Sequence, residues 1–484
     1  MVDLSHVNTG LFIGGRWIQP ESVYTSVNPA TGASLAEIAS ASTDDVDAAV
    51  GAATDAFRGD WGALAPSQKG ALLYRLADLV ERDIEVLAHL ESLEMGRPIG
   101  MSMALMVPNL VASLRYYAGW ADKINGEHIS NDGYLGGPTP THAYTRREAL
   151  GVVAAIVPWN APLMILGWKL APALACGNTV IVKPSEDASL SILHLVALVT
   201  EAGFPAGTVN VVPGTGAVAG EALALHRGVK KISFTGSTAV GRRILEHSAT
   251  NFKRTALELG GKAPQIIFDD SDVEAAVAGT AMGLFFNQGE VCAAGTRIIV
   301  HRNVYEQVLA GLENAANAQV LGDPFDPATT MGPLVNERQR DRVLAYFKAG
   351  AEDGARVVAG GSAPDRPGFF VEPTVFAGDN DMRVAREEIF GPVGVVIPFD
   401  SDDEAVSLAN DNDYGLSATL WTTDLSRAHL LSARIEAGAV AVNGWSPLAP
   451  QLPWGGVKAS GIGRELGYEG VLSYTETKTV TIVL

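Results

Sequence analysis

A chain of 484 residues, 47% hydrophobic and 18% charged, is too long for one ordinary core and has the balance of a folded protein of two or three domains, which excludes a disordered chain. A formal net charge of −19 repels phosphate backbones and anionic lipid, so neither nucleic acid nor membrane is expected as a partner. Two widely spaced cysteines, Cys176 and Cys292, supply no disulfide framework and no cysteine-rich metal site; they predict a reducing, cytoplasmic setting and no metal.

The segment from Met1 to Gly15 carries Asp3 and no basic cluster before an apolar run, so it does not read as a signal peptide. No stretch approaches the roughly 20 apolar residues that cross a bilayer. Leu72, Leu76, Leu79, Val80 and Leu87 recur near helical spacing and predict an amphipathic helix over 67–94, capped by Ser67 and ended by Gly96 and Pro98. Residues 125–147 hold a turn rich in glycine and proline (Gly136, Gly137, Pro138, Pro140), then a short β-like run.

From about 150 the pattern changes. β-rich runs at Val152–Val157, Thr179–Val182, Val209–Val212 and Ile232–Phe234 are separated by helix-length segments such as 188–202 and 217–226. A second series has strands near Gln265–Phe268, Ile298–Val300, Val393–Phe399, Thr419–Trp421 and Ala439–Val442. Such alternation implies βαβ units, and so two α/β domains with parallel sheets joined near 257. The residues Lys478 to Leu484 alternate and are β-branched. An exposed strand needs a partner; a second copy of the chain is one, which predicts a homo-oligomer, and the chain's own body is the alternative.

Four motifs carry chemistry. Glycines follow two strands, as Gly214, Gly216 and Gly220 after Val212, and Gly236 and Gly241 after Phe234. Such glycines admit a pyrophosphate at a helix N-terminus, although neither run matches the dinucleotide fingerprint and structural turns use glycine as well. Lys183, Pro184, Ser185 and Glu186 follow the Thr179–Val182 strand. There a lysine and an acid can hold ribose hydroxyls, the acid disfavouring a 2′-phosphate; the alternative is a solvated pair opening a helix, with Ser185 as its cap. Cys292 sits on a glycine-flanked turn where a thiol is reachable, whereas Cys176 lies in an apolar run and reads as packing. Glu258 stands between Leu257 and Leu259. Partly buried, it would have a raised pKa and serve as a general base; the alternative is a surface acid on an edge strand.

Together these pieces resemble the aldehyde dehydrogenase superfamily over nearly the whole chain, from Leu11-Phe12-Ile13-Gly14-Gly15 to Tyr474-Thr475-Glu476-Thr477-Lys478. Glu258-Leu259-Gly260-Gly261-Lys262 is similar to its glutamate motif, and Asn287-Gln288-Gly289 with Cys292 to its cysteine motif. Pro158-Trp159-Asn160, Glu388-Ile389-Phe390-Gly391-Pro392 and Gly455-Gly456-Val457-Lys458 also match. The resemblance implies a Rossmann-like cofactor domain (1–124 and 148–256), a catalytic domain (257–460) and a small β oligomerisation element (125–147 and 470–484) in a dimer or tetramer. It implies NAD-dependent oxidation of an aldehyde to the acid, NAD being preferred over NADP. Cys292 would be the nucleophile, Asn160 the oxyanion donor and Glu258 the base that hydrolyses the thioester.

Cofactor contacts would come from Trp159, Lys183, Ser185, Glu186, Gly216, Gly220, Phe234, Gly236, Ser237, Glu388 and Phe390. Ala161 stands where many relatives carry an aromatic residue, and Trp454 where Phe is common. With Met164, Trp168, Phe286, Val291 and Trp445 they would line an apolar tunnel for a medium-sized apolar, aromatic or terpenoid aldehyde. The competing readings are a CoA-acylating member, a cofactor-independent thiol esterase and an inactive binding protein. Glu258 argues against the first, and the intact set of Cys292, Glu258 and Asn160 against the last.

Overall fold

The computed structural model describes residues 4–445 and 448–484; Met1 to Asp3, which open the N-terminal segment read above, and Ser446 and Pro447, within the 257–460 segment, lie outside the described residues. Two large sheets carry the fold. The first has five parallel inner strands in spatial order Val209–Val211, Thr179–Lys183, Val152–Ile156, Val229–Thr235 and Arg254–Glu258. A hairpin of Leu11–Ile13 and Arg16–Ile18 closes one edge antiparallel, and the short Gly461–Ile462 strand closes the other. The second sheet runs Arg356–Ala359, Thr374–Ala377, Val393–Phe399, Arg297–His301, Pro264–Ile267, Ser417–Trp421 and Ala439–Val442, parallel except for its first pair.

Parallel strands need helices on both faces, so they read as continuous apolar runs. Val153, Ala155, Val180 and Val182 pack into one core layer, while Val152, Ala154, Ile156 and Ile181 pack into the layer behind. The helix Pro162–Ala175 is buried at every position but Met164 and apolar except for Lys169, as a helix with almost no solvent face must be.

Several expected elements differ in extent. The helix expected over 67–94 is two helices, Pro66–Arg82 and Ile84–Met95, separated at Asp83. Ser67 is not its cap: Pro66 takes the first helical position and the Gln68 side chain accepts the Ala65 N–H at 2.8 Å. Gly96 ends the second helix in the left-handed conformation, as expected. The segment 217–226 is a π-turn, Gly216–Gly220, running into a short helix, Glu221–Leu225. The strand read at Ile232–Phe234 spans Val229–Thr235, because Lys231 is buried within it. The Lys231 ammonium donates to the Ser473 carbonyl at 2.9 Å and lies 4.4 Å from the Tyr474 ring centroid, which hid the strand's true start from a hydrophobicity pattern.

A third sheet pairs Thr475–Val483 antiparallel with Thr141–Ala149 over nine residue pairs, with His128–Ile129 beyond. The C-terminal strand is therefore paired with its own chain on one side, and its other side is the edge of that sheet. Among the described residues no helix is long and apolar enough to cross a membrane.

Candidate active site

The carboxyl ends of the inner parallel strands of the first sheet open onto a cleft. Val157 to Trp159, Ser185 and Glu186, Gly216 and Gly220, and Phe234 with Gly236 form its walls, each group at or beyond the end of a different strand. Lys183 ends its strand buried and donates to the Pro184 carbonyl at 2.7 Å and to Glu186 Oε2 at 3.3 Å; burial lowers its pKa. Glu186, its side chain 38% exposed, accepts the Gly216 N–H at 2.8 Å through Oε1. The pair thus ties two strand ends together and is not a solvated pair opening a helix.

Ser185 makes a local turn, its Oγ accepting the Asp187 N–H at 3.4 Å, and is not a helix cap. The next helix starts at Leu190, where the buried Glu94 carboxylate accepts the Ser189 and Leu190 N–H groups at 3.1 and 2.7 Å. A Cβ at Gly236 would fall 2.4 Å from the tip of the Phe234 ring, so a side chain there would have to displace that ring. Ser237 follows and caps the helix Thr238–Ser248, its Oγ accepting the Val240 N–H at 3.4 Å.

Cys292 owes its position to backbone that few residues tolerate. Asn287, Gln288 and Gly289 have φ of 51°, 57° and 69° in succession, and a Cβ at Gly289 would sit 2.2 Å from the Gly391 carbonyl oxygen. Hydrogen bonds hold this turn against the loop after Val152–Ile156. Asn160 Nδ2 donates to the Glu290 carbonyl at 2.8 Å, and Asn287 Nδ2 donates to the Asn160 carbonyl at 3.1 Å. The fully buried Arg97 donates to the Asn160 carbonyl, to Glu91, and to Asn287 Oδ1 at 2.6 Å. The Cys292 thiol is pushed up to about 12, first by removal from water and then by the Glu388 and Glu258 carboxylates. At rest it is a protonated thiol. Cys176, by contrast, ends the Pro162–Ala175 helix with its Sγ 3.5 Å from the Val471 carbonyl, a packing position.

Glu258 ends the Arg254–Glu258 strand between two hydrogen-bonded neighbours. Its side chain is buried, and neither carboxylate oxygen has a hydrogen-bond partner among the described residues. The surface-acid alternative is therefore excluded. Burial raises its pKa well above the ordinary carboxylate range; the charge of Glu465 adds to the rise and Lys169 opposes it. Those two form a buried pair beside it: Lys169 Nζ donates to Glu465 Oε1 at 2.5 Å and to Thr235 Oγ1 at 2.8 Å, and Ser233 Oγ donates to Glu465 Oε1 at 2.7 Å.

Two further cavities meet at the cysteine. One continues the first cleft past Trp159, Gly236 and Ser237 to Glu388, Phe390, Asn160 and Cys292. Here Glu388 accepts the Gly261 N–H at 2.9 Å and is pushed up to about 7 by burial. Phe390, at φ 62°, meets the Trp159 ring edge-on at 5.3 Å between centroids. The other cavity, enclosing about 1050 Å³ partly open to solvent, runs from Cys292, Asn160 and Glu258 into an apolar channel. All seven expected tunnel residues (Ala161, Met164, Trp168, Phe286, Val291, Trp445 and Trp454) are in its wall.

The sequence reading missed several wall residues. Thr235 borders all three cavities, and its place directly after a predicted strand and before Gly236 was a usable signal. Leu105, Met106 and Asn109 line the tunnel from a helical stretch interrupted by a π-turn at Ser102–Met106, which no periodicity announced. Arg97 and the Lys169–Glu465 pair join residues too far apart in sequence to suggest one another.

The comparisons agree with this geometry. The model of the aldehyde dehydrogenase family matches residues 17–480. The retinal dehydrogenase 2 of Gallus gallus is 46% identical over 487 residues, covering 99% of this chain and 93% of its own length. The NAD+ complex of an aldehyde dehydrogenase from Bacillus cereus has a TM-score of 0.96 at 43% identity, covering 99% of this chain and 97% of that one. The indole-3-acetaldehyde dehydrogenase AldA of P. syringae, solved with NAD+ and IAA, has a TM-score of 0.96 at 42% identity, covering 99% of this chain and 97% of that one. With the family model running over nearly the full length and a relative sharing almost half its residues, the chain belongs to the aldehyde dehydrogenase family.

Proposed function

We propose that this protein oxidises an apolar aldehyde to its carboxylic acid with NAD, through a thioester on Cys292 that Glu258 hydrolyses. One observation carries the reading: Cys292 and Asn160 border both the cleft at the strand ends and the apolar tunnel, and Glu258 borders the tunnel at the same end.

The cleft suits a dinucleotide. It lies at the carboxyl edge of a parallel sheet, and a side chain at the Gly236 turn would have to displace the Phe234 ring. Lys183 and Glu186 would hold the adenosine ribose, Ser237 and the helix it caps the pyrophosphate, and Glu388 the second ribose, with Trp159 and Phe390 as walls. Two related structures contain NAD+, which supports the choice of cofactor. The half-exposed Glu186 carboxylate disfavours a 2′-phosphate and so NADP. When bound, the nicotinamide accepts a hydride from the aldehyde carbon.

The chain's residues do the rest. Cys292 gives up its proton to water and its sulfur adds to the carbonyl carbon, whose π electrons pass to oxygen. Asn160 Nδ2 spends one hydrogen on the Glu290 carbonyl and keeps the other for the oxyanion. Loss of hydride from the same carbon leaves a thioester on Cys292. Glu258, with a raised pKa and two unpartnered oxygens, then takes a proton from water. The hydroxide adds to the thioester carbonyl, the C–S bond breaks, and the acid leaves with the thiol restored. The buried carboxyl facing the tunnel also disfavours a CoA-acylating reaction, which needs no water-activating acid.

The tunnel wall holds no Lys, Arg or His side chain among the described residues, so it suits an uncharged aldehyde. Relatives named for retinal and for indole-3-acetaldehyde point the same way. The open edge of the Thr475–Val483 strand supports assembly into a homo-oligomer. The deciding experiment is an aldehyde panel scored for NADH and NADPH. Apolar and aromatic aldehydes should give NADH with the highest kcat/KM; a charged semialdehyde as best substrate would refute the substrate class, and no reduced cofactor with any aldehyde would refute the reaction.

A further inference from the structure

The tunnel wall contains a polar side chain, Asn109, to which the proposed reaction assigns no role. Asn160, Thr235, Glu258 and Asn287 gather at the Cys292 end. Asn109 lines the same tunnel from another helix. It lies in the helix Val107–Ala118, just beyond the Ser102–Met106 π-turn that also brings Leu105 and Met106 to the wall. π-turns of this kind re-aim side chains and recur at functional sites.

Its amide has a fixed orientation. Trp168 Nε1 lies 2.8 Å from Asn109 Oδ1. An indole N–H can only donate, so the oxygen of the amide must face Trp168 and the –NH2 group must face away from it. Among the described residues no acceptor lies within hydrogen-bonding reach of that –NH2, and the residue is only partly buried. The apolar wall around it offers no acceptor either. In the free protein, water serves the two N–H bonds. A ligand that fills the tunnel removes that water and must replace it or leave a donor unpaired.

We propose that Asn109 selects aldehydes that carry an uncharged hydrogen-bond acceptor, an ether, carbonyl or hydroxyl oxygen, in addition to the aldehyde group. This rests on the dehydrogenase reading above and narrows its substrate class. A hydrocarbon tail strands the amide donors, so the site discriminates against it. A carboxylate finds a neutral donor but no counter-charge in the wall, and its lost hydration is not recovered. Trp168 is a positioning residue here: it occupies the oxygen and so presents the –NH2.

The test compares two aldehydes of matched length, 4-methoxycinnamaldehyde and 4-ethylcinnamaldehyde, by kcat/KM for NADH formation at pH 8. The full-length enzyme should prefer the methoxy compound roughly five- to tenfold, the range of one neutral hydrogen bond. Asn109→Leu should bring the ratio to about one. Asn109→Asp keeps an oxygen for Trp168 and nearly the same volume but offers no N–H at that pH, so it should also lose the preference. A wild-type ratio near one, or a preference that persists in both variants, overturns the proposal. Because each ratio is internal to one protein, a general loss of activity does not obscure it. Calorimetric dissociation constants for the two corresponding cinnamyl alcohols, with wild type and Asn109→Leu, need no turnover and should show the same preference and its loss. If neither aldehyde yields NADH, the dehydrogenase reading fails, while the alcohol pair still decides the role of Asn109.

Discussion

Arg97 holds the backbone of Asn160: its guanidinium donates to the Asn160 carbonyl while another arm donates to Asn287 Oδ1 at 2.6 Å. One buried cation thereby joins the loop bearing the proposed oxyanion donor, Asn160, to the turn bearing the proposed nucleophile, Cys292. The Glu91 carboxylate compensates its charge. The strain of three successive positive-φ residues before Cys292 is thus met by a side chain from a different part of the chain.

The consequence is a coupled loss. Asn160→Ala should lower kcat about 100- to 1000-fold, the usual effect of deleting an oxyanion donor. Arg97→Lys keeps the charge beside Glu91 but cannot span both loops, and should lower kcat roughly 10- to 100-fold with a smaller change in KM. The double variant should be little worse than Asn160→Ala alone, because both act on one arrangement. Fully additive losses in steady-state kinetics would separate Arg97 from Asn160 and remove its positioning role.

Glu258 yields a prediction with a sign. Water activation needs the carboxylate, so thioester hydrolysis is lost as pH falls through a pKa held well above the ordinary value. Lys169 lowers that pKa; Lys169→Met removes the opposing cation and should move the rising limb of the deacylation rate to higher pH. Glu258→Gln should still give a burst of NADH near one equivalent per site but almost no steady turnover. Stopped-flow absorbance reads both variants. Normal turnover in Glu258→Gln, or a limb shifted to lower pH in Lys169→Met, would contradict the assignment.

The fold class was legible because parallel strands are buried on both faces, so their apolar runs stand out between helices. The site residues were legible only where a motif clustered them. Phe390 and Glu388 lie in one short run, as do Trp159 and Asn160, and the structure brings both runs into the same cavity. Arg97, Lys169, Glu465 and Asn109 were not legible, because each depends on a partner far along the chain or on a π-turn without sequence signal. The break at Asp83 was hidden for another reason: the apolar spacing continues across it, and only backbone geometry interrupts the helix. Buried charge misled the pattern in the same way at Lys231, where a strand appeared to begin later than it does.

The resting thiol should be unreactive near neutrality. Burial and two nearby carboxylates push Cys292 up to about 12, so alkylation of the cofactor-free enzyme by iodoacetamide should be slow at pH 7 and rise by about tenfold per pH unit through pH 9. The Glu258 carboxylate contributes to the rise in the thiol's pKa, so Glu258→Gln should speed alkylation at pH 9 while blocking hydrolysis. Mass spectrometry of the Cys292 peptide follows the reaction. A rate already at its plateau by pH 7 would mean that the thiol is activated without cofactor.

The proposed preference for NAD over NADP rests on Glu186. Its carboxylate is half-exposed at the cleft mouth, bridges Lys183 and the Gly216 N–H, and stands beside the expected ribose position. Its oxygens can accept from ribose hydroxyls, and a carboxylate there repels a phosphate placed on the same sugar. Glu186→Ser leaves Lys183 without its partner, and a free buried ammonium favours an anionic ligand. The variant should therefore lose roughly tenfold or more in kcat/KM with NAD, as one charge-assisted hydrogen bond is removed. Its efficiency with NADP should rise, so the ratio of the two shifts by more than either alone. Measured with one saturating aldehyde, a ratio unchanged from wild type would show that cofactor discrimination lies elsewhere in the cleft. A fall with both cofactors in equal proportion would mean that Glu186 only braces the loop at Gly216.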